Sequence, residues 1–151
     1  ASVPMAEFRD LRRDPLQVGE PVFLVGNQKG FTNTVTTGIV SAPNERRVSE
    51  LMRIESFREF VERHGLPGTA FIQTDASCEG GGSGGALFDA QGRLIGLHTW
   101  HLQDESDICF SIRIDEIVNT LDDFGLWKPA LPDMTNPGDW QAAHFPSRDP
   151  A

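Results

Sequence analysis

The chain has 151 residues, 38% of them hydrophobic, and a formal net charge of −9. That is enough apolar material for one buried core and not for two. The acidic balance argues against a nucleic-acid partner, which wants a basic face, and no run of about 18 apolar residues offers a membrane span.

In chain order, residues 1–14 mix charges with proline and lack the basic-then-apolar pattern of a secretory signal. Residues 1–17 read as a connecting segment. Short apolar runs punctuated by turn signals then predict an all-β body over 18–125, with strands near 21–25, 35–41, 70–74, 86–88, 94–99 and 108–112. Between Ser41 and Phe71 a helical insertion is expected near 56–64. Ser56-Phe57-Arg58-Glu59 has capping-box spacing, and Gly65 with Pro67 supplies the stop. Phe57, Phe60 and Val61 would share one face, as in a surface helix packed on the body. Asp115 to Leu121 repeats apolar residues at helical spacing, and Gly125 is a natural end. Residues 126–151, rich in Pro, Asp and small polar types, read as a linker or extended arm, with Trp127, Trp140 and Phe145 as anchors.

The stretch that carries chemistry is Glu79-Gly80-Gly81-Gly82-Ser83-Gly84-Gly85-Ala86-Leu87-Phe88. Glycines on both sides of a serine let the backbone take conformations closed to other residues, so amide groups can turn toward one point. Two such amides beside the serine form an oxyanion hole, which stabilises the tetrahedral intermediate of acyl transfer. A Gly-rich run alone is equally a flexible linker. The flanks decide between these readings.

Phe71-Ile72-Gln73-Thr74-Asp75-Ala76 precedes the glycines, and Leu94-Ile95-Gly96-Leu97-His98-Thr99-Trp100 follows them. Upstream stand Val18-Gly19-Glu20-Pro21-Val22-Phe23-Leu24-Val25-Gly26-Asn27 and Thr34-Val35-Thr36-Thr37-Gly38-Ile39-Val40-Ser41-Ala42. In this order the blocks resemble the second β-barrel of chymotrypsin-fold serine proteases, above all the HtrA/Deg branch, over about residues 16–124. The resemblance implies a six-stranded antiparallel barrel ending in a C-terminal α-helix.

It also implies roles for individual residues. Ser83 aligns with the family nucleophile, and the amides of Gly81 and Ser83 with the oxyanion-hole donors. Gly82 stands where relatives carry Asp or Asn, which predicts a more mobile loop. His98 falls on the strand bordering the primary specificity pocket. Glutamyl endopeptidases and picornaviral-type cysteine proteases have the same Gly-x-His arrangement, here Gly96-Leu97-His98, and pair the imidazole with Glu or Gln before the cleaved bond. The plain reading of His98 is a satisfied core histidine. Thr99 and Trp100 would continue an edge that pairs with an extended substrate. Cys78 and Cys109 align with two further walls of the pocket, as thiols or as a disulfide. These two cysteines are too few for a disulfide framework and too far apart for a zinc ribbon.

In the resembled family the His and Asp of the triad come from the first barrel, and this chain is expected to start after that barrel. None of His64, His98, His101 and His144 sits in the family's context for the base. His64, Asp75 and Ser83 keep the familiar order, but that spacing is too short to span two barrels, and Asp75 is better read as a loop-ordering carboxylate. The expected function is therefore the C-terminal half of a serine endopeptidase acting on a peptide or protein substrate. An N-terminal barrel from another chain or a cleaved precursor would complete it, with neither metal nor cofactor. The alternative is a non-catalytic peptide-binding module, a pseudoprotease. A lipase-type hydrolase fits badly, because an apolar strand and not a helix follows Ser83.

Overall fold

The computed structural model describes residues 6–45, 59, 63, 69–101 and 107–125. The helix expected near 56–64 lies outside these residues apart from Glu59 and Arg63, and the arm at 126–151 lies wholly outside them. The chain divides after Ile117 into two units, and the first contains every strand.

Period-two alternation builds the core of that unit. In strand β1 (Pro21–Gly26), Val22 and Leu24 point inward and are buried, while Phe23 between them faces out. The same inner layer takes Val40 from β2 (Thr34–Glu45), Ile72 from β3 (Phe71–Thr74) and Leu87 from β4 (Ala86–Asp89). Phe71 of β3 and Phe110 of β6 (Cys109–Arg113) are buried on the opposite face, and Ile95 of β5 (Leu94–His101) is buried at the register shift with β4. Each of these strands pairs antiparallel with its neighbours, and the order β1-β2-β3-β6-β5-β4 closes on itself. Closure leaves the sheet without an edge, the arrangement expected from the sequence.

Strand β2 is the longest because it serves two partners at different angles. Its first half pairs with β1 and its second with β3, and register shifts fall between Val40 and Ala42 and between Ala42 and Glu45. Such irregularities bend a strand around a barrel and tolerate Pro43, which has no amide to donate. Gly38 sits at the start of this bend. A side chain there would meet the Ala76 backbone nitrogen at 2.3 Å and Asp75 Oδ1 at 2.4 Å. Asp75 accepts from the Ile39 amide at 2.6 Å, so its carboxylate orders the β2–β3 junction.

The segment read as a connector packs against the barrel. The Leu94 amide donates to Glu7 O (2.7 Å) and the Arg9 amide to Leu94 O (3.1 Å), making a short parallel bridge at Phe8. Leu11 and Leu16 are buried behind it. Helix α1 (Ile114–Asp123) follows β6 directly, with Asp115 and Glu116 in its first turn, where carboxylates suit the helix dipole. Arg113 grips Asp115 with two bonds of 2.9 Å and donates to Pro43 O at 3.0 Å, tying the end of β6 to the bend of β2. Gly125, at φ +65, ends the helix as its position in the sequence predicts.

Candidate active site

Ser83 stands at the entrance to β4, and three sets of bonds hold its loop. From below, the Gly84 amide donates to His98 O (2.8 Å) and the His98 amide to Gly85 O (2.7 Å), fastening the loop to β5. From the side, the single 3-10 turn Gln28–Gly30 braces it. The Lys29 amide donates to Gly80 O (2.8 Å), and Lys29 Nζ lies 3.0 Å from Glu79 Oε1. Gln28 Nε2 and Thr36 Oγ1 both donate to Ser77 O, at 3.2 and 2.7 Å. Within the loop, the Gly82 amide donates to Glu79 O (3.1 Å) and that of Gly85 to Gly82 O (2.9 Å).

The bonds that are absent matter as much. The amides of Gly82, Gly84 and Gly85 are all engaged, whereas those of Gly81 and Ser83 have no acceptor among the described residues. Gly81 takes φ +93, a conformation that costs most side chains dearly, and a Cβ there would stand 2.9 Å from Asn27 O. Gly82, expected to loosen the loop, is buried and tightly packed. Its Cβ would come 3.2 Å from Glu79 O and 3.4 Å from His98 Cδ2, so a larger residue would have to push its neighbours aside. Ser83 itself is exposed, and its hydroxyl donates to Thr99 O at 3.0 Å. A shallow cleft beside it is lined by Val25, Asn27, Thr32, Asn33, Gly81 and Gly84.

Thr99 and Trp100 lie where β5 outruns its neighbour. Strand β4 pairs with β5 only as far as Leu97, and β5 continues along β6 to His101. Trp100 stacks on Phe110 with ring centroids 4.2 Å apart and planes 6° from parallel, which fixes this stretch of the strand.

His98 is 2% exposed, sealed behind the Ser83 loop. Burial, with a smaller contribution from neighbouring His101, pushes its pKa down to about 4 against an opposing backbone hydrogen bond with Phe110. The ring is therefore neutral at physiological pH. Its Nδ1 has no partner among the described residues, and neither has the buried Oγ of Ser111, directly opposite across the β5–β6 ladder. Cys78 and Cys109 are both buried and joined as a disulfide with Cα atoms 6.2 Å apart, which ties the start of the Ser83 loop to β6. The sulfur of Cys78 and ring nitrogens of His98 and His101 lie within 4.8 Å of one another, and the sulfur is occupied by its disulfide. Of the four histidines, His64 and His144 lie outside the described residues, and neither His98 nor His101 bonds to Ser83.

Sequence reasoning did not single out Gln28, Lys29 and Thr36, which brace the loop from a distant part of the chain. Their signal was the unusual backbone of the turn, which the sequence shows only as Asn27 and Gly30 at its ends.

The wider comparisons agree with this geometry. A family model for the trypsin-like peptidase domain matches residues 1–97. The putative serine protease HhoA of Synechocystis sp. is 39% identical over 111 residues, which is 70% of this chain and 25% of that protein. The chloroplastic Protease Do-like 5 of Arabidopsis thaliana is 34% identical over 111 residues, 70% of this chain and 30% of its own. Among solved structures, the HtrA-type protease AlgW with a decapeptide superposes with a TM-score of 0.60 at 32% identity, covering 79% of this chain and 32% of that one. This chain thus spans about a quarter to a third of the length of these relatives. With the closed barrel and the serine loop in place, the match places the chain in the trypsin-like peptidase domain family, among proteins of the HtrA kind.

Proposed function

We propose that this chain is the nucleophile-bearing barrel of a serine endopeptidase, with Ser83 attacking the scissile carbonyl and the amides of Gly81 and Ser83 holding the oxyanion. The observation that carries this reading is the selective pairing of the loop. Amides that point inward are bonded, and the two beside the exposed hydroxyl are left for a ligand. Preorganised donors of this kind are usually the largest electrostatic contribution to acyl transfer.

The general base and its carboxylate come from a second barrel docked against this one. In support, Ser83 Oγ is held by a backbone carbonyl and by no histidine among the described residues. The outward face of β1 and β2 is also unusually apolar. Phe23, Val35 and Ile39 share one face of the hairpin by register, and each is exposed, as is the nearby Phe31. A covering domain would bury that stripe. The substrate is an extended peptide running along β5 beyond Leu97, with the residue before the cleaved bond directed toward His98 and its wall of Cys78 and Cys109. Because His98 is sealed by Gly82, an occupant has to displace that contact to reach Nδ1.

The test is covalent labelling. The chain alone should not react with a fluorescent organophosphonate, and the chain mixed with the first barrel should be labelled at Ser83. Ser83→Ala should abolish the label. Peptidase activity from the 151-residue chain by itself would overturn the two-barrel assignment, and unlabelled Ser83 in a catalytically competent mixture would overturn the nucleophile.

A further inference from the structure

We propose that the Cys78–Cys109 disulfide masks a four-ligand zinc site, which forms with His98 and His101 when the disulfide is reduced. The placement of the two histidines is the first observation. Residues three apart on a regular strand point to opposite faces of the sheet. Here a register shift between His98 and Trp100 inserts one extra residue, so His98 pairs with Ser111 and His101 with Cys109. Ser111 and Cys109 are two apart on β6 and share a face. The irregularity therefore turns both imidazoles toward the same side as Cys109, the re-aiming of a side chain for which such bulges are known. Cys78 arrives from the loop before Ser83, and its disulfide brings the second sulfur to the same point.

Distances suit the metal after a small adjustment. Zinc with Zn–S of about 2.3 Å and Zn–N of about 2.0–2.1 Å holds tetrahedral ligand atoms roughly 3.3–3.8 Å apart. The Cys78, His98 and His101 donor atoms already lie within 4.8 Å of one another. A contraction of about 1 Å brings these three to that spacing, and breaking the disulfide frees Cys109 Sγ, bonded to Cys78 Sγ, to turn to the fourth position.

The polar atoms left over are the second observation. His98 Nδ1 is buried with no partner, and so is Ser111 Oγ beside it. A buried polar atom without a partner is costly and calls for an explanation. With the ring's hydrogen bond to the Phe110 backbone in place, Nδ1 offers an unshared pair into the cluster. A metal-ligating imidazole usually has such a bond on its other nitrogen.

The chemistry balances with a dithiol as reductant. The dithiol loses two electrons and two protons and closes to its own disulfide. The Cys78–Cys109 bond breaks, and each sulfur takes up one electron and one proton. Zn²⁺ then displaces both protons to form two Zn–S bonds, while His98 and His101 each donate a nitrogen lone pair. The occupied site lies directly behind Gly82, so metal would fill the wall that faces the residue before the cleaved bond. Only this last consequence rests on the peptidase reading, and the metal site stands or falls without it.

The experiment uses the full chain, reduced anaerobically, freed of reductant and titrated with Co²⁺ and then Zn²⁺. The reduced chain should take up one Co²⁺, with tetrahedral d–d bands and a thiolate charge-transfer band that Zn²⁺ bleaches. The oxidised chain should take up none. His101→Ala, at the half-buried rim, should weaken binding by more than the roughly 10–100-fold that loss of an outer-sphere partner alone costs. Cys109→Ser should remove part of the charge-transfer intensity. A reduced chain that keeps its β-sheet circular dichroism but binds no Co²⁺ would overturn the proposal. So would loss of the sheet signal on reduction, or binding that His101→Ala leaves unchanged.

Discussion

The two ends of strand β4 are built on opposite terms. At the Asp89 end, Arg9 is buried; its Nη2 reaches Asp14 at 3.0 Å, and its Nη1 bonds to Glu20 and lies 3.6 Å from Asp89. Arg93 bridges Asp89 (2.8 Å) and Asp14 (3.0 Å), closing the cluster. Bonding to Glu20 holds the Arg9 pKa above its ordinary value, and bonding to Arg9 holds those of Glu20 and Asp14 below theirs. At the Ala86 end two amides of the loop, one imidazole nitrogen on β5 and one hydroxyl on β6 have no partner among the described residues. One end spends its polar groups on itself, and the other leaves some of them unused. Natural chains set aside local satisfaction at functional sites and compensate elsewhere.

Ser83→Ala breaks the open end and nothing else. In the completed two-barrel enzyme the turnover rate should fall roughly 10⁴–10⁶-fold, as in other triads whose members act as a unit. The side chain is exposed, so the urea midpoint should move by no more than about 0.5 kcal/mol in equivalent free energy. A comparable loss of stability would mean that the Ser83–Thr99 bond is a fold contact and the comparison is misdrawn.

Arg9→Leu does the reverse. It leaves Asp89, itself 1% exposed, without its buried cation, and losing one partner of such a pair costs about 3–5 kcal/mol. For a chain of this size that is roughly 6–20 °C in melting temperature. Labelling of Ser83 per folded molecule should not change. A shift below about 1 kcal/mol would show that Arg93 alone carries the cluster.

The same contrast marks what could be read in the sequence. The six strands were legible because each is a short alternating or apolar run, and five of them end within about two residues of expectation. Strand β2 runs on to Glu45 because its bulges carry it past Pro43, a residue that normally signals an end. The Ser83 loop was legible because its chemistry is local. The Arg9 cluster was not, since it joins residues 9, 14, 20, 89 and 93 across the whole barrel, and the first two looked like a polar connector. Nor was the convergence of His98 and His101, which strict alternation would send to opposite faces and which only the register shift permits.

Acid should sharpen the comparison at the open end. The folded His98 pKa of about 4 stands below the ordinary 6.5, so the unfolded chain takes up the proton first as pH falls. The stability that His98 protects is complete above about pH 6.5, declines between 6.5 and 4, and is constant below. The full change is roughly 3 kcal/mol at 1.36 kcal/mol per pH unit. Among the described residues the groups facing the ring are His101, the Cys78 sulfur, Gly82, the Phe110 backbone and Ser111, and none of these is a carboxylate that would offset the effect. Denaturation of the oxidised chain across this range should show the slope, and His98→Gln should flatten it. An unchanged slope in that variant would assign the acid sensitivity to the carboxylates around Arg9.

The smallest effect concerns selectivity. If the residue before the cleaved bond reaches His98, a neutral ring that gives up its bond to the Phe110 backbone and carries its single proton on Nδ1 donates one hydrogen bond to a Glu, Gln or Asp side chain, which an apolar wall could not do. The net charge of −9 opposes an acidic ligand, but charges beyond about 8–10 Å are largely screened at physiological salt. The nearer objection, Glu79, is met by Lys29, whose ammonium lies 3.0 Å from its carboxylate. His98→Leu should therefore lower the preference for acidic over apolar residues roughly ten- to a hundredfold, the worth of about 1.5–3 kcal/mol for a bond to a charged group. Hydrolysis of apolar sites should be nearly unchanged, because the amides of Gly81 and Ser83 stay where they are. A peptide-library profile already dominated by aromatic or small aliphatic residues would remove His98 from the recognition surface. Its unpartnered nitrogen would then be left to the metal site alone.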